Sequence, residues 1–271
     1  ITAEGGGGFP VAGTWLLTSS ARVQGAGAFW KTDLSIRNKG TSSASAIVKF
    51  LGHSGDGRGG PERSVSIPAG QTLPGRDVIG TLFGLSSEYG PILVRASTAS
   101  LAVLGQTWTA GSAGTYGQSV PVLSTDELVG STPRSILGVR QDALFRTNLM
   151  LANATESTVS VTVQLVSTTG AVLKTLNDSL GPLSRAQYGV GSDFGYTNLS
   201  DAVLVVSSPT AGARIGVIGL VLVFRREFDD VLDGIIYGAM IGFGFALTEN
   251  VFAYFLPIAS PRKKSGQLKF D

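Results

Sequence analysis

His53 is the only histidine in the chain, and it lies in Gly52-His53-Ser54-Gly55-Asp56-Gly57-Arg58-Gly59-Gly60. Serine-type hydrolysis would need it as the general base, held in register beside a nucleophile. A run so rich in glycine forms a mobile loop that holds no base in place, so His53 reads as a solvated turn residue. Asp56, with glycine on both sides, hints at a calcium loop but lacks the spaced oxygen ligands such a loop requires. Gly5 to Gly8 follows no strand and precedes no Lys-Ser/Thr pair, so it reads as a flexible tether and not as a phosphate cradle. The chain has no cysteine, which excludes disulfides, thiolate zinc sites and a cysteine nucleophile. The expectation is therefore no catalytic residue, no metal ligand, no cofactor and no enzyme activity.

The elements that would carry any site show themselves by repetition. Phe29-Trp30-Lys31-Thr32-Asp33-Leu34-Ser35-Ile36-Arg37-Asn38 aligns with Leu144-Phe145-Arg146-Thr147-Asn148-Leu149-Met150-Leu151-Ala152-Asn153 at an offset of 115, which also carries Ala44, Ala46, Val48 and Phe50 onto Val159, Val161, Val163 and Leu165. Both stretches alternate apolar with polar residues, the period of a strand with one buried face. Asn38-Lys39-Gly40 and Asn153-Ala154-Thr155 are turn signals between paired strands. Further on, Ile67 to Gln71 aligns with Leu180 to Ser184, Ile92 to Ala96 with Val203 to Ser207, and Leu101 to Trp108 with Ala213 to Leu220. Six or so short strands per copy, in about 100 residues, predict a β-sandwich in each.

The organisation resembles tandem immunoglobulin-like domains of large bacterial cell-surface and secreted proteins, through Phe29-Trp30-Lys31-Thr32-Asp33-Leu34, Ile67-Pro68-Ala69-Gly70, Thr115-Tyr116-Gly117-Gln118 and the echo Phe145-Arg146-Thr147-Asn148-Leu149. That resemblance covers residues 14–222 and implies a surface location without chemistry. The expected fold is all-β: two tandem immunoglobulin-like sandwiches with an apolar insertion near the C-terminus. The expected division is a Gly-rich arm over 1–13, a first sandwich over 14–124, a linker over 125–135, a second sandwich over 136–261 interrupted by 223–255, and a basic tail over 262–271.

The interruption has its own character. In copy one the strand ending at Trp108 leads through a polar loop to Gln118-Ser119-Val120-Pro121-Val122-Leu123; in copy two a similar closing strand, Leu256-Pro257-Ile258-Ala259, comes only after some thirty further residues. The string Phe228-Asp229-Asp230, then Asp233-Gly234-Ile235-Ile236-Tyr237-Gly238-Ala239-Met240, then Gly242-Phe243-Gly244-Phe245-Ala246-Leu247-Thr248-Glu249-Asn250 resembles the PrsW family of intramembrane metalloproteases. The resemblance implies a membrane helix and an active-site role for Glu249. The family's Glu-Glu pair and its His-containing motif have no counterpart here, and one carboxylate cannot make a zinc site. Gly234 to Phe255 is a 22-residue run with a single charge, long enough to cross a bilayer. Its Gly234, Gly238 and Gly242 share one helical face. A spanning helix, a buried hairpin or helix against a neighbouring subunit, and a junction of two unrelated sequences all fit that run.

Composition narrows the function. Of 271 residues 37 are glycine and only 15% are charged, with a net charge of +2, a composition of short strands and tight turns with no general field for nucleic acid. Four cations of the tail, Arg262, Lys263, Lys264 and Lys269, stand against Asp271. Ile1 in place of a start methionine reads as a processed, secreted beginning. The sequons at Asn153, Asn177 and Asn198 point to an exposed surface. Trp30 and Trp108 read as core residues, and Trp15 fits either core or surface. The leading expectation is an extracellular or cell-surface structural protein, a filament subunit that assembles with itself. It would do so by strand addition from Phe9, Pro10, Val11 and Ala12, and by apolar contacts through Ile235, Ile236, Phe243, Phe245 and Phe252. The alternative is a membrane-anchored extracytoplasmic binding or sensor module with a PrsW-like remnant. Glycan adhesion is a further partner class, with membrane contact through 234–255 and no nucleic acid.

Overall fold

The computed structural model describes residues 9–25, 28–111 and 114–223, all within one compact unit that holds both copies of the repeat. Copy one has nine strands: β1 (Gly13–Gly25), β2 (Ala28–Asn38), β3 (Ala44–Phe50), β4 (Glu62–Ile67), β5 (Thr72–Gly75), β6 (Glu88–Ala96), β7 (Leu101–Gly111), β8 (Gly114–Val120) and β9 (Val122–Ser124). A one-turn helix, α1 (Val78–Thr81), lies between β5 and β6. Copy two has β10 (Arg134–Ile136), β11 (Phe145–Asn153), β12 (Val159–Ser167), β13 (Val172–Leu180), β14 (Arg185–Gly189), β15 (Ala202–Ser207) and β16 (Ile215–Val223). The all-β expectation holds.

In copy two, one sheet runs β10-β15-β12-β13 and the other β14-β11-β16. Copy one repeats both orders, as β1-β6-β3-β4 and β5-β2-β7-β8. It also joins them, because β1 is thirteen residues long and shifts register between Leu17 and Ser20, pairing with β6 and then forming a hairpin with β2. The immunoglobulin-like order is not confirmed. That arrangement sets the first and second strands side by side in one sheet; in copy two the first strand instead joins the sixth and the second joins the seventh in a separate sheet, while in copy one β1 joins β6 along most of its length and meets β2 only at its end.

Each copy buries its own core by strict alternation. Ala44, Ala46, Val48 and Phe50 are buried in the first, and their partners at the 115 offset, Val159, Val161, Val163 and Leu165, in the second. Ladder pairing also fixes which residues correspond. Phe50 pairs with Ile92, and Leu165 with Leu204, so Ile92 corresponds to Leu204 and not to Val203, a one-residue correction that restores the inward face. Likewise Asn38 pairs with Leu101 and Asn153 with Ile215, so Leu101 corresponds to Ile215 and not to Ala213.

The copies are docked face to face. On β1 the side chains of Trp15 and Leu17 enter the first core while Leu16 faces the other way, and Leu93 does the same on β6. Both outward leucines are buried in a third cluster with Leu51, Leu128, Ala152, Ala154 and Leu183. Ala152 lies on β11, and Gly216 of β16 leaves the room that the Leu16 and Thr18 side chains fill. The three-stranded sheet of copy two therefore rests on the outward face of the β1-β6 layer. The loop around His53 belongs to this contact: the Gly57 N-H donates to the Pro182 carbonyl at 3.2 Å, and a Cβ at Gly57 would strike the Leu183 carbonyl. Only Gly57 is buried there, and His53 with Ser54 to Asp56 stays exposed in the turn, as expected of a solvated residue. Glycine serves there for close approach of two backbones. The linker is packed as well, with Val129 bridged to Ile215 and Leu128 in the shared cluster.

Candidate functional site

The outward face of the β5-β2-β7-β8 layer joins charged and aromatic groups in one network. Its residues follow from the strand period: Leu34 and Ile36 of β2 point into the core, so Phe29, Lys31, Asp33, Ser35 and Arg37 point out. Register sets Trp108, Gln106 and Leu104 of β7 beside Lys31, Asp33 and Ser35.

Asp33 organises the face. It is 7% exposed, and its carboxylate accepts from the Arg76 guanidinium at 2.8 Å, the Asp77 backbone N-H at 2.8 Å and the Trp108 indole N-H at 2.9 Å. A buried carboxylate requires such donors. Asp77 adopts a left-handed conformation at φ 45°, a region open to aspartate at modest cost. Its side chain pairs with Arg22 at 3.1 Å and Lys31 at 3.5 Å. Lys31 in turn lies 5.6 Å from the Trp108 ring centre and 6.0 Å from that of Phe29, and Arg22 lies 5.5 Å from Phe29, within cation-π range. Beside Arg76, a depression of about 130 Å³ is lined by Asp33, Ser35, Pro74, Leu104 and Gln106 among others.

Both carboxylates are thus sunk and capped, while the cations stay nearer solvent: the side chain of Arg76 is 83% exposed, against 9% for Asp33. Arg37 and, just past the end of β2, Lys39 are exposed as well. The arrangement can hold an anion by charge and offer hydrogen bonds from Ser35 and Gln106. None of its groups is set up as a nucleophile with an adjacent base. Among the described residues no three His, Cys, Asp or Glu side chains gather into a metal-binding group.

The residues singled out from sequence fall in several places. Phe9 is half-buried and Pro10, Val11 and Ala12 are exposed, but the Ala12 N-H already donates to the Ala96 carbonyl at 2.8 Å, which extends the β1-β6 ladder. Ile235, Ile236, Phe243, Phe245, Phe252 and Glu249 lie outside the described residues, as do Gly5 to Gly8 and the whole of 224–271. Trp15 is a core residue, whereas Trp30 and Trp108 are only half-buried. They stand where the β1-β2 and β7-β8 pairs run past the core.

His53 stacks on Tyr89 with ring centres 4.4 Å apart, and its Nδ1 lies 2.9 Å from Glu88 Oε2. Arg185 of copy two sits over the same Tyr89 at 5.1 Å. Burial there lowers the arginine's proton affinity. Asp56 holds Arg58, which keeps its carboxyl below the usual range. Asn153 is fully buried and so is no glycan acceptor, while Asn177 and Asn198 are exposed. The signal that sequence reading passed over was Asp33 itself, an acid between Lys31 and Arg37 on the polar face of its strand, with Trp108 directly across from Lys31.

Among the described residues no helix is long and apolar enough to cross a membrane. Residues 209–268 match the model of the PrsW family intramembrane metalloprotease, a minority of the chain. The described part of that match, 209–223, is the turn before β16 and β16 itself, hydrogen-bonded to β11 from Ile215 to Val223. No curated protein matches the chain. Among solved structures, it is similar to one titled "Crystal Structure of Thermotoga maritima 1070", at 17% identity and a TM-score of 0.31, over 41% of this chain and 91% of that one.

Proposed function

We propose that the chain is a non-catalytic extracytoplasmic surface module whose two docked sandwiches are held at a membrane by the segment after β16. The observation that carries this reading is the position of the PrsW-like match. It begins at residue 209, inside copy two, so β16, packed on β11, and the sequence after it fall in one match to a membrane protein family. A module joined so closely would stand directly on the membrane surface, with its docked faces limiting bending between copies.

Carbonate extraction of membranes tests the anchor. The full chain stays in the pellet, and a chain truncated after Val223 is released. External protease added to intact spheroplasts should digest the sandwiches. A full chain recovered in the carbonate supernatant removes the reading.

A second reading, a filament subunit assembling by strand addition, is favoured by one feature. Pro10 and Val11 are exposed, next to Ala12, whose N-H already joins the β6 strand. Deleting residues 1–11, which spares the Ala12 to Ala96 bond, should abolish polymers seen by electron microscopy and leave the thermal midpoint unchanged. Polymers of unchanged length remove this reading.

A further inference from the structure

The same sheet face has opposite fates in the two copies. In copy two, Ala152 and Ala154 are buried against copy one, with Leu183 beside them and Gly216 under Leu16. The 115 offset puts Arg37 and Lys39 at the positions of Ala152 and Ala154, and the ladders put Ala102 at that of Gly216. Copy one has thus exchanged its docking alanines for exposed cations, and a further sandwich stacked in the same way would have to bury both.

What that face presents instead is positive charge. Arg22, Lys31, Arg37, Lys39 and Arg76 lie on it or at its end, and its acids, Asp33 and Asp77, are both sunk beneath cations. Strands β5, β7 and β8 add no acid. Glu88, the register partner of Arg22, turns to His53. Five cations against two covered carboxylates exceed the +2 of the whole chain, so the excess is local. From Lys31 to Lys39 the stripe follows the line of β2 for about 27 Å, at roughly 3.4 Å per residue.

We propose that this face binds an anionic polysaccharide, a linear chain of uronate sugars lying along β2. Charge complementarity supplies the attraction. The depression beside Arg76 offers Ser35 and Gln106 to sugar hydroxyls and Pro74 and Leu104 to ring carbons. A single-stranded nucleic acid would need open ring faces for its bases, and here Lys31 and Arg22 lie over Trp108 and Phe29. The proposal stands apart from the membrane and filament readings, since either could fail and leave it intact.

Affinity electrophoresis of the full chain through gels containing polygalacturonate, neutral dextran or single-stranded DNA provides the test. Polygalacturonate should retard the protein, dextran should not, and DNA at equal charge concentration should retard it less. Retardation should fall as ionic strength rises from about 0.01 to about 0.15 M and the screening length shortens from about 30 to about 8 Å. The double variant Arg37→Ser with Lys39→Ser should bind polygalacturonate about tenfold more weakly. Arg63→Ser with Lys174→Ser, on β4 and β13 away from this face, should bind as the parent does. Arg37→Gln alone gives a milder version of the loss if the double variant is unstable. Undiminished polygalacturonate binding in the Arg37 variants, equal losses in the Arg63 and Lys174 control, or DNA binding as strong as polygalacturonate would each overturn the proposal.

Discussion

Asn38 and Asn153, 115 positions apart, make the same hydrogen bonds. Each is fully buried at the end of its copy's second strand. The Asn38 side-chain NH2 donates to the Ser42 and Ile67 carbonyls at 2.8 and 2.9 Å, and its oxygen accepts from the Gly40 N-H at 2.9 Å. The Asn153 NH2 donates to the Ser157 and Gly181 carbonyls at 2.7 and 2.8 Å, and its oxygen accepts from the Thr155 N-H at 2.9 Å. Each asparagine ties the turn after its own strand to the end of the strand before β5 or β14.

Replacing either asparagine with alanine should therefore cost about 2–4 kcal/mol, because buried carbonyls and an N-H lose partners that water cannot replace. Urea unfolding of Asn38→Ala and Asn153→Ala measures it, and a loss under about 0.5 kcal/mol would contradict the role. The same burial bears on modification. Expressed in a glycosylating host, the chain should carry glycan on Asn177 or Asn198 and none on Asn153, which peptide mass spectrometry reads directly.

Much of this was legible beforehand. Alternation in Ala44 to Phe50 and Val159 to Leu165 gave the inward faces, because a half-buried strand leaves a period-two trace. Docking was harder to see. Trp15-Leu16-Leu17 and Ile92-Leu93-Val94 are continuous apolar runs, the trace of strands covered on both sides, and that trace does not say what covers the second side. The contact made by the His53 loop was hidden for a different reason: its glycines permit a mobile loop and a close backbone approach alike, and only the Leu183 turn from a distant part of the chain decides between them. The one-residue misalignment of β6 with β15 arose because Ile92-Leu93-Val94 and Val203-Leu204-Val205-Val206 are apolar at every position, so sequence alone could not tell inward from outward.

Docking predicts coupled unfolding. Leu183 is fully buried between the copies and holds a positive φ of 48°. Its turn meets Gly57, and Arg185 two residues on covers Tyr89. The Leu183→Ala variant should lose about 2–4 kcal/mol by removing buried contacts. Calorimetry should then show one transition for the parent and two for the variant, as the copies melt separately. A variant that keeps a single transition with an unchanged midpoint would show that the contact contributes nothing to coupling.

Asp33→Asn keeps the shape of the side chain but removes its charge, so the Arg76 and Trp108 donors lose their charge-assisted acceptor. The expected cost is about 2–3 kcal/mol. Trp108 emission should shift to the red as the indole loosens, and the Trp108→Phe background should abolish the shift. An unchanged spectrum with full stability would mean that Asp33 does not organise the face.

Acid should loosen the connection between the copies through Glu127. Its carboxylate accepts both the N-H and the hydroxyl of Ser124, at 2.7 and 2.6 Å, in the turn that leads from β9 to Leu128 and Val129. Those two hydrogen bonds, the side-chain one foremost, hold the Glu127 carboxyl below its ordinary value. A carboxyl whose folded value is depressed binds protons more readily when unfolded. Its stabilisation is thus present above the ordinary carboxylate range and is lost as pH falls through the lowered folded value. Because the side chain remains largely solvated, the contribution is about 0.5–1 kcal/mol at neutral pH. The Glu127→Gln variant should therefore melt below the parent at pH 7, and the gap should narrow as the pH falls below the reference carboxylate value. A gap that stays constant across that range would place the effect in packing and not in charge.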